Sequence, residues 1–232
     1  MDVTHKIVFT FLGINVRDTV VYTWILMALM IAFVFLLRKR LPSMMEMIFD
    51  LVNGVVGGVL SGDDLIEYRP LLGSIFLFIL SANLISLIPR MKSPTADVNT
   101  TFAIAFIVFC AVHYYGVKRK GLWRYLKEFS SPPWLFPLEI ISQFSRTLSL
   151  TLRLFGNVLS GDMIVAITFS LIPLIVPIPM IAISAMSGVI QAFILTTLAS
   201  LYISSAVEIA KDDEKIKKIK LQEKLRKVAS HV

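Results

Sequence analysis

Residues 138–171 read LEIISQFSRTLSLTLRLFGNVLSGDMIVAITFSL, and the order of polar and apolar positions in this stretch decides the fold class. Glu139, Ser142, Gln143, Arg146, Ser149, Arg153, Asn157 and Ser160 recur close to the i, i+3, i+4, i+7 spacing of one helix face, with apolar side chains filling most other positions. A polar stripe therefore runs along a helix that is otherwise soluble in lipid. As one continuous helix the stretch would extend roughly 51 Å, too long for a perpendicular crossing of a ~30 Å hydrocarbon core. It must tilt steeply, bend or break, with Gly156 and Gly161 the weakest points. Packing against sibling helices accounts for the serines as well as a polar pathway does. It accounts poorly for two arginines, Arg146 and Arg153, and two carboxylates, Glu139 and Asp162, in one helix.

Outward from this stretch the chain has the composition of a membrane protein. Hydrophobic residues make up 56% of its 232 residues, charged residues only 17%, and mean hydropathy is +0.76; a soluble domain is nearer ~25% charged. The apolar residues come in blocks. Residues 19–37, 71–89 and 98–117 carry no Asp, Glu, Lys or Arg, and each is long enough to cross ~30 Å at ~1.5 Å per residue. Residues 163–207 are equally free of charge and are interrupted by Pro173, Pro177 and Pro179, which marks a hairpin between two crossings. The expected fold is an all-α membrane protein in one integral domain. Its spans lie at about 19–37, 71–89, 98–117, 138–171 and 174–207, the last two forming a long tilted hairpin.

The net charge of +7 does not point to nucleic acid, because the basic residues alternate with the spans. With the N-terminus outside, the cytoplasmic segments hold Arg38, Lys39, Arg40, Arg69, Lys118, Arg119, Lys120, Arg124 and Lys127, together with the basic tail 208–232. Only Lys6, Arg17, Arg90 and Lys92 fall on the other side, a positive-inside pattern. No cleavable signal peptide or transit peptide is read at the N-terminus, so a multi-pass protein of the bacterial cytoplasmic membrane is expected, with its C-terminus in the cytoplasm. Cys110 is the only cysteine and excludes an intrachain disulfide. His5, His113 and His231 are scattered, and neither a phosphate-cradling loop nor a nucleophile–base arrangement is visible. No metal and no cofactor are expected.

Two connecting segments suit the membrane surface. Residues 43–60 place Met44, Met47, Ile48, Leu51, Val52, Val55 and Val59 on one helical side and Glu46, Asp50 and Asn53 on the other. This is the pattern of an interfacial amphipathic helix or of an ordinary packed surface helix. Residues 121–137 mix Trp123, Tyr125, Phe129, Trp134 and Phe136 with Arg124 and Lys127, a combination at home among lipid headgroups.

Arg153 is the residue that points to function. A charge at the middle of a lipid-buried helix costs at least ~2.5–3.5 kcal/mol, so such residues face protein or water and carry a role. Its neighbours on the helix face, Arg146, Ser149, Leu150, Gly156, Asn157 and Ser160, include no acid. Asp162 lies ~13.5 Å along the axis and roughly on the opposite side, and Glu139 lies ~21 Å the other way. The other spans contain no Asp or Glu. The counter-charge of Arg153 is therefore sought in another chain.

Arg153-Leu-Phe-Gly-Asn157, preceded by Ser149-Leu-Thr-Leu152, resembles the signature of subunit a of the F-type ATP synthase. Pro94-Thr-Ala-Asp-Val-Asn-Thr-Thr101, Trp134-Leu-Phe-Pro137 and Gln191-Ala-Phe-Ile194 are similar to further motifs of that family, in the same order. The resemblance implies a stator subunit whose long helices lie against a rotating ring of c subunits, each bearing an ionisable carboxylate. It also implies contact with the peripheral stalk b subunits, with membrane lipid and, through the complex, with the catalytic head. Arg153 matches the family's essential arginine, with Arg146 in support. Asp97, Asn99, Asn157, Asp162, Ser184 and Gln191 match positions of the half-channel open to the outside, and Glu139, Ser142, Ser145 and Ser149 those of the cytoplasmic exit. The implied function is translocation of an ion, a proton in this reading, by a subunit that is not itself an enzyme. Thr147 stands where relatives often have proline, Ser184 where some have histidine, and Asp162 where glutamate is more usual. The rival readings are a secondary transporter and a structural membrane scaffold. The first predicts repeated halves around a self-contained site, and the second has no use for Arg153, Asp162 and Glu139 in one helix.

Overall fold

The computed structural model describes residues 7–11, 14–40, 42–60, 63–87, 91, 93–123, 125, 134, 136–172 and 176–229. From residue 18 onward the described regular elements are helical, as an all-α membrane fold requires. Ahead of them, β1 (Ile7–Phe11) and β2 (Ile14–Arg17) pair antiparallel. No strand signal is legible in this short mixed segment.

α1 (Asp18–Arg40) begins where Asp18 accepts the Thr19 backbone N–H at 3.0 Å. Its run of Trp24, Leu29, Ile31, Phe33 and Phe35 stays exposed, and Leu26 is its buried apolar contact. α2 (Pro42–Gly57) opens on a proline, whose missing N–H is no loss in a first turn. It buries Val52, Val55 and Val56 while Met44, Met47 and Leu51 remain exposed. The apolar side read from the sequence is thus divided between protein and surroundings.

α3 (Asp63–Leu84) buries Tyr68, Leu72, Ile75, Phe76, Ile79 and Ala82. Two 3-10 turns follow, Ile85–Leu87 and Pro94–Ala96. α4 (Val98–Lys120) is capped by Asp97 and ends at Gly121, whose φ of 79° strains any residue with a Cβ. α5 (Phe136–Leu171) is unbroken through Gly156 and Gly161, so neither glycine ends the long helix. α6 (Pro177–Ala229) starts at Pro177 and continues without interruption through the basic tail.

α6 packs against α3, α4 and α5, and α4 also packs against α5, while α1 and α2 lie on the α3 side. Small residues let α6 approach its neighbours: Ala192, Ala199 and Ser200 are buried beside Leu195, Thr196 and Ile203. Among the described residues, four helical segments are long and apolar enough to cross a membrane: Asp18–Leu36, Val98–Arg119, Phe136–Leu171 and Pro177–Val207. The apolar part of α3 begins only at Leu71, after Asp63, Asp64, Glu67 and Arg69. The chain is a multi-pass membrane protein. Pro173, His5, His231, Arg90, Lys92 and residues 126–133 of the aromatic connector lie outside the described residues.

Candidate functional site

α5 has two unlike sides. Thr147, Leu150, Thr151, Leu154 and Val158 are buried against the rest of the bundle at helical spacing. Both threonines satisfy their hydroxyls locally, Thr147 donating to the Gln143 carbonyl at 3.1 Å and Thr151 to the Thr147 carbonyl at 2.9 Å. Arg146, Ser149, Arg153, Gly156 and Ser160 are exposed instead. Among the described residues Arg153 makes no hydrogen bond or ion pair; the described ion pairs are Glu67 with Lys118 and with Arg119. The guanidinium thus sits on the outward side of its own bundle, with no carboxylate partner among the described residues.

Behind Arg153 the antiparallel register of α5 and α6 is fixed by polar contacts. The Ser187 hydroxyl donates to Asn157 Oδ1 at 2.6 Å, and Asn157 Nδ2 donates to the Ser187 carbonyl at 3.4 Å. One turn outward along α5, Gly161 meets Ser184 so closely that an added Cβ would lie 2.5 Å from Ser184 Oγ. In the other direction Gln191 on α6 is 5% exposed, and its Nε2 has no hydrogen-bond partner. A buried donor left unpaired costs about 1–3 kcal/mol. It is the one such buried side-chain atom among the described residues. The structure therefore brings Asn157 and Ser184 to the α5–α6 seam, with Gln191 buried one turn beyond Ser187 on α6. Asp162, although next to Gly161, is exposed and makes no described hydrogen bond or ion pair.

A second polar group closes the end of the bundle where α4 begins. Asp97 is 3% exposed, accepts the Asn99 backbone N–H at 2.9 Å and accepts the Thr19 hydroxyl at 2.8 Å. Asn99 itself is exposed. Nearby, Thr95 donates to Asn83 Oδ1 at 3.0 Å, and Asn83 Nδ2 donates to the Gly188 carbonyl at 2.9 Å. An added Cβ on Gly188 would lie 2.8 Å from Asn83 Cβ. Asn83 thereby ties the 3-10 turn to α6 directly beside Ser187.

The start of α5 holds the remaining candidates. Gln143 Nε2 donates to Glu139 Oε1 at 2.9 Å, one turn apart. Ser145 and Ser149 are exposed and Ser142 is half-buried. Arg146 places its guanidinium over the Tyr202 ring, 5.2 Å from the centroid. A cavity of about 10 Å³ beside this pair is lined by Gln143, Arg146, Thr147 and Tyr202 with apolar residues of α4. No group of three or more His, Cys, Asp or Glu able to hold a metal occurs among the described residues.

Sequence reasoning missed Asn83, Ser187, Thr19 and Tyr202. Two of these had a signal. Asn83 is a lone amide inside an apolar run, and Ser184, Ser187 and Gln191 share one α6 face at i, i+3, i+7. Thr19 and Tyr202 matter through partners on distant segments, which a periodicity does not reveal.

Residues 20–204 match the family model of the ATP synthase A chain. The chain is 38% identical over 210 residues to ATP synthase subunit a 2 of Picosynechococcus sp., covering 87% of this chain and 90% of that protein. It is 40% identical over 202 residues to ATP synthase subunit a 1 of Pelobacter propionicus, covering 82% and 88% respectively. ATP synthase subunit a of Moorella thermoacetica is 38% identical over 202 residues, with 84% and 92% covered.

Proposed function

Because this chain belongs to the ATP synthase A chain family, and so to a subunit of the ATP synthase complex, we propose that it translocates an ion as the non-catalytic stator subunit of the membrane sector of a rotary F-type enzyme. The carrying observation is the outward position of Arg153, exposed and without an ion-pair partner among the described residues. A fixed cation on the outer face of the bundle suits a mobile carboxylate on a neighbouring ring of c subunits.

The magnitudes favour this reading. A guanidinium effectively never loses its proton, and at ~4 Å in an effective dielectric of ~20 it stabilises a carboxylate by ~4 kcal/mol. That is about three pKa units. A ring carboxyl raised by burial to ~8 or 9 would fall to ~5 or 6 and release its proton beside Arg153. The same charge opposes passage of a cation straight through. Arg153 thereby separates an outer half-channel, formed by Asp97, Asn99, Asn157, Asp162, Ser184 and Gln191, from an inner one formed by Glu139, Ser142, Ser145 and Ser149. Arg146 supports the inner side. In this reading the N-terminus is outside, the C-terminus is cytoplasmic, the membrane is the bacterial cytoplasmic one, and the peripheral stalk b subunits hold the chain against the ring.

Arg153→Lys tests the reading. A lysine can discharge and lacks the planar fork of donors, so ATP synthesis and ATP-driven proton pumping in membrane vesicles should fall close to background while the complex still assembles. Near-normal synthesis and pumping by that variant would overturn the assignment. Ion flux through the purified chain alone in liposomes would favour a self-contained transporter instead.

A further inference from the structure

We propose that Tyr202 is a positioning residue, fixing Arg146 as a second stationary cation that lowers the proton affinity of a carboxylate passing the inner half-channel. The proposal rests on the stator reading above and assigns a role within it to a contact between α5 and α6. Arg146 stands seven residues before Arg153, two helical turns or ~10.5 Å along α5, and both are exposed. Among the described residues it has no ion-pair partner. What it has is the face of Tyr202, 5.2 Å from guanidinium carbon to ring centroid.

That contact restrains an otherwise mobile side chain. A guanidinium over an aromatic face is held by the ring's quadrupole without being neutralised, so the positive charge stays available to a neighbour. Tyr202 is anchored by its position on α6 next to buried Ile203. The cavity beside the pair, about 10 Å³, is about the size of one water molecule, so the guanidinium has no room to swing inward. Glu139 is engaged by Gln143 at 2.9 Å. Among the described residues, the charged and titratable groups around Arg146 on the elements beside it are Glu139 and Arg153 on α5, Tyr202 on α6, and His113 on α4, one turn beyond the cavity-lining Phe109, with Tyr125 packed against His113. His113 Nδ1 is bonded to the Phe109 carbonyl at 2.9 Å. Of these, Arg153 alone is a permanent cation. Arg146 therefore extends the positive field of Arg153 toward the end of α5 assigned to ion exit.

The test uses the assembled enzyme in membrane vesicles, with ATP-driven pumping and passive proton conduction followed as pH is varied separately on each side. A unit charge acting over ~10 Å at an effective dielectric of ~20 shifts a carboxylate by about one pH unit. Arg146→Gln should therefore move the inner-side pH profile up by about one unit, and Tyr202→Leu, which frees the charge without removing it, should move it in the same direction by less, both leaving the outer-side profile in place. Tyr202→Phe, which keeps the ring face, should restore the inner-side profile. An unmoved profile in an assembled Tyr202→Leu or Arg146→Gln enzyme, or Tyr202→Phe behaving like Tyr202→Leu, would overturn the proposal. If Arg153→Lys pumps normally, the stator reading itself fails; if Arg153→Lys is inactive but these profiles do not move, only the role of Tyr202 and Arg146 does.

Discussion

Asn157 and Ser187 hold α5 to α6 one turn from Arg153, by a hydroxyl-to-amide bond of 2.6 Å and an amide-to-carbonyl bond of 3.4 Å. Hydrogen bonds between membrane helices average ~0.6 kcal/mol in double-mutant cycles, with a maximum near 1.7. Asn157→Ala and Ser187→Ala should accordingly show a coupling of about 0.6–1.7 kcal/mol when thermal stability is measured singly and together. Strict additivity would show that the pair does not hold the seam.

Gly161 and Gly156 should respond oppositely to the same substitution. Gly161→Ala brings a methyl against Ser184 Oγ and should destabilise the chain toward the low end of the about 1–3 kcal/mol typical of overpacking, with Ser184→Ala, which removes the hydroxyl, restoring the loss. Gly156 has nothing within 4 Å, so Gly156→Ala should leave the stability of the isolated chain unchanged or slightly raised. A loss of activity confined to the assembled enzyme would then report contact between this face and another chain. Thermal denaturation of the chain with and without its complex separates the two.

Asp97 is a helix cap as well as a channel candidate, and two substitutions distinguish the roles. Asparagine caps a helix about as well as aspartate does, whereas loss of the cap to alanine costs about 0.5–2 kcal/mol. Asp97→Ala should lower stability by that amount and remove the acceptor of the Thr19 hydroxyl, while Asp97→Asn should stay close to wild type in stability. Pumping by Asp97→Asn then reads the need for a titratable group without the confusion of a damaged fold.

At the other ends of α3 and α4, Glu67 receives Lys118 Nζ and Arg119 Nη2, each at 2.8 Å. It lies ahead of the apolar part of α3. The hydrogen bond from Lys118, reinforced by the charge of Arg119, holds its carboxyl below the ordinary 4.5. A depressed carboxylate stabilises the fold fully above its unfolded value and loses that contribution as pH falls through the folded one. Since the groups are partly exposed, the effect is at most about 1 kcal/mol. Glu67→Gln should lower the Tm slightly at about pH 7, and the gap to wild type should close on acidification to about pH 3.

The sequence made some of this legible and left the rest to tertiary contact. The α5 stripe was readable because polar side chains at helical spacing in an apolar run have few explanations. Its division was not: Asn157 and Arg153 share one stripe, yet Asn157 bonds to Ser187 while Arg153 is turned out. That difference depends on where α6 packs. The helical tail followed a readable rule, since no Gly or Pro occurs between Val189 and Ala229 to stop α6. The β1–β2 pair and the link from Thr95 through Asn83 to Gly188 join residues far apart in sequence or carry no periodicity, so nothing local announced them.

Arg153 facing away from its own bundle has a consequence for biogenesis. A newly inserted chain that has not met its complex presents this guanidinium to hydrocarbon or to a defect in the bilayer, at a cost of at least ~2.5–3.5 kcal/mol. That strain is relieved only when a partner brings a carboxylate or a wet surface to the same face. The unassembled chain is thus marked by this outward charge as incomplete, and should be the form that membrane quality-control proteases remove first.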